Sequence, residues 1–215
     1  MRRRAFALGA VAAGVSLSRL AEAKPAAIPT LPLTVAVASR EGRPVVGDDW
    51  VKRQVSESQR LMQPHGVMVD LFEQRTLPAE HAVLETADDR DALHSFVKPK
   101  LINVFVVASL RDIDDETRLR MGVRWRLRRD LRKDYVIVAA RALDTTLCHE
   151  LGHFFGNGHS QVVDNVMSYK RENPDKVAFD PRQGQKMRLV ATRLLRTGKV
   201  ATLESLRATE GEREA

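Results

Sequence analysis

The sequence predicts a mixed α/β domain of the α+β class. Three observations predict it. Two apolar, β-branched runs, LPLTVAVAS at 31–39 and LINVFVVA at 101–108, read as buried strands. Other segments repeat apolar residues at helical spacing. Residues 123–128 alternate apolar and arginine side chains with period two, as a strand with one wet face does. The chain has one cysteine, Cys148, so an internal disulfide is excluded. No internal repeat or low-complexity tract interrupts it.

Residues 1–23, MRRRAFALGAVAAGVSLSRLAEA, have a basic start, an apolar middle and a small-residue end at Ala21-Glu22-Ala23. That pattern predicts an export signal. Arg3-Arg4-Ala5-Phe6 resembles the twin-arginine export motif. The apolar stretch from Ala5 to Leu17 is shorter than the roughly 20 residues a membrane helix needs. The expectation is a protein exported from a bacterial cytoplasm, periplasmic or secreted, with no membrane span after processing. Cleavage after Ala23 would remove four arginines and one glutamate, taking the net charge from +7 to +4 and leaving 192 residues. That length suits one domain, 24–215, and the mild charge gives no reason to expect a nucleic-acid partner. We expect an N-terminal subdomain of about 24–157, a C-terminal one of about 158–215, and a monomer.

The elements follow in order. The first strand is 31–39, and Gly42 to Gly47 is a loop. Asp48 or Asp49 caps a helix to about Gln63, with Trp50, Val51, Val55, Ser58, Leu61 and Met62 on one stripe. Pro64-His65-Gly66 ends it, and Val67 to Phe72 is the second strand. Thr86 or Asp88 starts a short helix through Phe96. Residues 101–108 form a central strand. Seven arginines and one lysine stand between Arg118 and Lys133 against one acid, Asp130. Within them Val123, Trp125 and Leu127 share one face, and Arg124, Arg126 and Arg128 the other. Tyr135 to Ala140 is the fifth strand. Asp144 is placed to cap the next helix. A final helix runs from Asp180 to about Thr197, with Pro181 at its start and Gly198 after it. The tail from Glu204 is charged and expected to fray.

The helix after the fifth strand carries the chemistry. It reads HELGHFFGNGH from His149 to His159. His149 and His153, four apart, share one helix face and can both reach an ion at about 2.0–2.1 Å. Glu150 turns roughly 100° away, a direction that suits a base acting on metal-bound water. Gly156 can take a positive φ, end the helix and bring His159 back as a third ligand. Three protein ligands leave one position open, as a catalytic zinc site requires. Cys148 lies on another helix row and reads as a small buried hydrophobe. His65, His81 and His94 stand in no ligand spacing. Asp164 is a turn residue or an acceptor for a ligand imidazole.

With Asn165-Val166-Met167-Ser168-Tyr169 following closely, the stretch from His149 to Tyr169 resembles the metzincins, zinc endopeptidases with HExxHxxGxxH and a methionine turn. The resemblance implies a twisted, mixed, five-stranded sheet with two helices, a zinc helix at the cleft and a small C-terminal subdomain with one helix. It places Met167 beneath the metal. Met-Ser-Tyr is similar to serralysins and astacins, which implies that Tyr169 ligates zinc or stabilises the transition state. Ser160 follows the third histidine, where astacins have Glu and serralysins Pro, so no subfamily is selected. The resemblance also implies that the strand around Gly122 to Leu127 pairs with extended substrate, which brings Gly122, Arg124 and Arg126 to the peptide. The arginine face either guards an exposed edge, selects acidic substrates, or binds a nucleic acid or envelope polyanion, the last disfavoured because no aromatics interleave with it. The expected activity is hydrolysis of peptide bonds with one Zn²⁺, Glu150 as general base and a peptide or protein as substrate. A zinc amidase on cell-wall peptides and a zinc-pinned binding module without catalysis are the alternatives.

Overall fold

The computed structural model describes residues 28–214, so the expected export signal at 1–23 lies outside the described residues. Five strands form the main sheet in the order β3 (Val69–Leu77), β1 (Leu31–Arg40), β5 (Ile102–Val107), β8 (Asp134–Ala139), β7 (Gly122–Arg126). The first four run parallel, and β7 is antiparallel to β8. A two-residue strand, β2 (Arg43–Pro44), folds back on the end of β1. A separate small ladder joins β4 (Val83–Leu84) to β6 (Ser109–Leu110).

The sheet is buried on both faces, which is why β1, β5 and β8 are apolar at nearly every position. On one face Leu33, Val35, Val104, Val106, Val136 and Val138 meet three helices: α1 (Asp48–Met62), α3 (Thr146–Phe154) and α4 (Pro181–Arg196). On the other, Ala36, Phe105, Tyr135 and Ile137 pack with Leu84, Leu93 and Leu110, near the short helix α2 (Ala87–Ala92). No described helix is long and apolar enough to cross a membrane.

The structure amends several expectations. Gly47 occupies the N-cap of α1 without a side-chain bond, and Asp48 and Asp49 lie inside its first turn. The strand expected at 67–72 is β3, shifted and extended to Leu77. Its polar end, Glu73 to Thr76, is held by pairing with β1, an interaction no apolar pattern announces. The C-terminal part has two helices instead of one. The tail expected to fray is α5 (Leu203–Glu214), moored where Leu203 is buried and its N–H donates to the Thr30 carbonyl.

Candidate metal centre

Helix α3 is docked before it is capped. Asp144, the expected cap, makes no cap bond; it lies 3.6 Å from Arg53, and Thr145 takes the cap position with no side-chain bond. A buried glutamine of α1 serves instead. Gln54 accepts from the Leu147 N–H at 3.0 Å and donates to the Leu143 carbonyl at 2.9 Å. One orphan donor of the helix start is thereby satisfied from another element. At the far end Gly156 adopts φ +90°, as its position predicts. Its N–H donates to His153 O, and the next N–H, of Asn157, to Gly152 O. This is a Schellman turn. It places the Asn157 carbonyl 2.8 Å from His153 Nδ1.

The turn sends the chain back beneath the helix. His159 returns to the two helical histidines, and the three side chains form a group that could hold an ion. His153 Nε2 lies 3.1 Å from His149 Nε2 and 3.1 Å from His159 Nε2. Three nitrogens on one tetrahedral ion at about 2.0–2.1 Å sit roughly 3.3–3.4 Å apart. His149 Nδ1 is 2.8 Å from the Val166 carbonyl. A carbonyl only accepts, so the Nδ1 atoms of His149 and His153 carry the hydrogens and their Nε2 lone pairs face inward. Facing lone pairs are stabilised by a cation between them, and a zinc ion fits this donor set. Met167 is fully buried below, its sulfur pressed on Gly152 so closely that a Cβ on that glycine would meet it at 2.3 Å.

No protein-family model and no curated protein matches the sequence. Solved structures do match. A complex of mirolysin with a compound has 11% identity, a TM-score of 0.58, and covers 76% of this chain and 91% of its own. Mature mirolysin of Tannerella forsythia with a cleaved peptide has 12% identity, a TM-score of 0.56, and covers 76% and 92%. Archaemetzincin of Methanopyrus kandleri has 20% identity, a TM-score of 0.50, and covers 76% and 96%. The chain has the metzincin fold.

Within that fold the other candidate residues take definite places. Tyr169 is exposed, and its hydroxyl lies 2.7 Å from His159 Nε2. Burial pushes His149 down to about 4 and lowers His153 and His159, so all three are neutral near pH 7, as ligands must be. Glu150 is buried, and burial pushes its carboxyl up to about 7. It packs against the edge strand. A Cβ on Gly122 would meet Glu150 Cγ at 2.8 Å and Oε1 at 2.9 Å. Gly122 thus makes room for this carboxylate, a role its place on the strand did not announce. Strand, helix and turn enclose a cleft of about 840 Å³.

The arginine face needs amending. Arg124 and Arg126 lie on one face as the alternation predicts, but both are turned onto Asp134. Arg124 makes two bonds to that buried carboxylate, at 2.9 and 2.6 Å, and donates a third to His153 O at 2.8 Å. Arg126 reaches it at 3.1 Å. The side chains expected to meet a substrate carboxylate already share one of the protein's own. Asp134 faces Arg126 directly across the β7–β8 ladder. Arg128 lies beyond the end of β7.

Three supporting residues were not visible in the motif. Gln54 is one. Arg171 donates to the Asn165 and Val166 carbonyls, the second being the one that orients His149. Gln183 of α4 exchanges two side-chain bonds with Asn165, whose Oδ1 also accepts from Met167 N. Asp164 takes the turn reading: at φ 59° it accepts from the N–H groups of Glu172 and Asn173, and backbone carbonyls serve the His149 and His153 imidazoles. Cys148 is fully buried in the core, and burial pushes its thiol up.

Proposed function

We propose that this chain is an exported zinc-dependent endopeptidase. The observation that carries the reading is the convergence of three Nε2 atoms beside a buried glutamate, at the floor of a cleft bordered by an edge strand. His149, His153 and His159 would hold the ion. A zinc ion there supplies a Lewis acid and acidifies a water. Glu150 takes a proton from the attacking water on its carboxylate and returns it to the leaving nitrogen. The Tyr169 O–H donates to the oxygen that gains charge. Strand β7 pairs on one side with β8 and lines the cleft with Gly122 to Arg124, so an extended peptide adds there by main-chain bonds. The cleaved peptide bound by mirolysin, a structural neighbour, supports a peptide as substrate.

Residues 24–215 form the catalytic unit in this reading, working as a monomer, and 1–23 direct export. Incubating the purified protein with a random peptide library tests the activity. We expect cleavage at internal bonds, abolished by a chelator and restored by zinc. Trimming only from peptide ends, or cleavage indifferent to chelation, would overturn it. Export is checked separately, by sequencing the amino terminus of the protein outside the cytoplasm, which should begin at Lys24.

A further inference from the structure

Arg118, Arg120, Arg124 and Arg171 all line the cleft. The first three are already paired with the protein's own acids. Arg118 lies 2.9 Å from Asp115, Arg120 2.9 Å from Asp112 and Arg124 2.6 Å from Asp134. Arg171 differs. Its hydrogen bonds go to the carbonyls of Asn165 and Val166, and among the described residues no carboxylate forms an ion pair with it. Asp164 is near enough for its field to be felt, but its carboxylate is taken up by the N–H groups of Glu172 and Asn173. The acids that line the cleft are Asp112 and Glu150. Asp112 holds Arg120, and Glu150 is the proposed base.

A shared acceptor fixes where the Arg171 charge stands. The Val166 carbonyl accepts from Arg171 Nη2 at 2.8 Å, and His149 Nδ1 lies 2.8 Å from the same oxygen. The guanidinium nitrogen is therefore no farther from the His149 ring than twice that distance. His149 is one of the three imidazoles of the centre, so the charge borders the place where a peptide carbonyl would meet the metal. Two carbonyls hold the planar fork, which fixes its orientation before any ligand arrives. A guanidinium has five N–H donors, and these bonds use two of them. Arg171 is partly buried and borders the cleft, which leaves the remaining donors open to a ligand there. A carboxylate matches both the charge and the fork.

We propose that Arg171 selects substrates with an aspartate or glutamate next to the cleaved bond. The proposal deepens the peptidase reading above and rests on it. An acidic side chain gains a charge-assisted bond to a donor that is already ordered, so little side-chain entropy is lost on the protein's side. The matching amide offers an oxygen of similar shape but no charge.

The test has two arms. The first uses matched peptides that differ only by Asp or Asn, or by Glu or Gln, on one side or the other of the cleaved bond. At one of these two positions the zinc-loaded enzyme should favour the acid by about 5- to 50-fold in kcat/KM, and the gap should narrow as salt rises. Arg171→Lys should keep part of the preference. Arg171→Gln should reduce it to less than about twofold, and Arg171→Glu should turn it toward a matched peptide carrying Lys. Arg171 also steadies the carbonyl behind His149, so its variants can lose total activity, but the ratio of two peptides on one enzyme sample does not register that loss. Arg118→Gln and Arg120→Gln should leave the ratio within about twofold. A parent enzyme with no preference, a preference that survives Arg171→Gln, or one that falls as far in Arg118→Gln or Arg120→Gln would overturn the proposal. The parent's preference is read without any variant, so a variant that does not fold leaves the proposal open to refutation. The second arm needs no turnover. Zinc-loaded Glu150→Gln should bind the acidic member of a pair about 5- to 50-fold more tightly in fluorescence anisotropy, and Glu150→Gln/Arg171→Gln should bind both alike. Equal binding of acid and amide by Glu150→Gln would refute the selection. A binding preference in a protein whose parent cleaves nothing would instead count against the peptidase reading alone.

Discussion

His149 and His153 stand on α3, where every residue from Thr146 to Phe154 except His153 is buried. His159 and Tyr169 stand on a stretch without helix or extended ladder, and both are exposed. The helical pair is placed by periodicity and by the core: Leu147, Cys148, Leu151 and Phe154 fix the helix, and the four-residue spacing does the rest. The returning pair is placed bond by bond. Ser160 N–H donates to Met167 O, Val166 N–H to Ala178 O, Arg171 braces the turn on the Asn165 and Val166 carbonyls, and the Asn165–Gln183 pair ties it to α4. The two regions build one centre with different physics. Damage to the first should be felt as lost stability, and damage to the second as lost metal and lost activity.

The largest effect should come from changing chemistry on the stable side without disturbing its packing. Glu150→Gln is nearly isosteric and should lower kcat by about 10²- to 10⁴-fold while zinc content and melting stay as in the parent. Metal analysis beside steady-state kinetics reads this, and undiminished turnover would remove Glu150 from the mechanism. Next comes a matched pair. Leu151→Ala opens the core beneath the helix and should cost about 2–5 kcal/mol in urea unfolding, with little change in zinc affinity of the folded protein. Asn165→Ala breaks the turn's anchor and should cost only about 1–3 kcal/mol, yet weaken zinc binding more than Leu151→Ala does. Equal zinc affinities in the two variants would break the contrast between the regions.

The smallest effect is a pH dependence in the turn. Backbone N–H bonds from Asn173 and Glu172 hold the Asp164 carboxyl below its usual range. A group depressed on folding contributes stability above its unfolded pKa, about 3.9, and that stability is lost as pH falls through the lower folded value. Asp164→Asn tolerates the same positive φ and should flatten the acid side of the stability curve below about pH 4. An acid limb that does not change would show that these bonds leave the fold's titration untouched.

What the sequence revealed divides along the same line. The two helical histidines, Glu150 and the Gly156 turn follow from spacings within eight residues. The strands β1, β5 and β8 are readable because burial on both faces leaves few polar positions. The partners that complete the centre are distant in the chain, and nothing local marks them. Gln54 reaches α3 from 93 residues away, and Asp134 meets Arg124 only once the β7–β8 hairpin has closed. The second C-terminal helix escaped because its charged sequence has little apolar stripe and it is moored at Leu203.

Gly122 has a further consequence. An edge strand proposed to receive peptides is exposed to slippage, since its own pairing and an incoming strand's use the same kind of bond. If β7 moved by one residue along β8, Met121 or Val123 would arrive where Gly122 now lies, and a side chain there would strike Glu150 within 3 Å. The glutamate acts as a pawl against its neighbouring strand. Glu150 and the ladder hold each other in register, so a peptide bound as proposed would meet a ruler whose zero mark cannot drift.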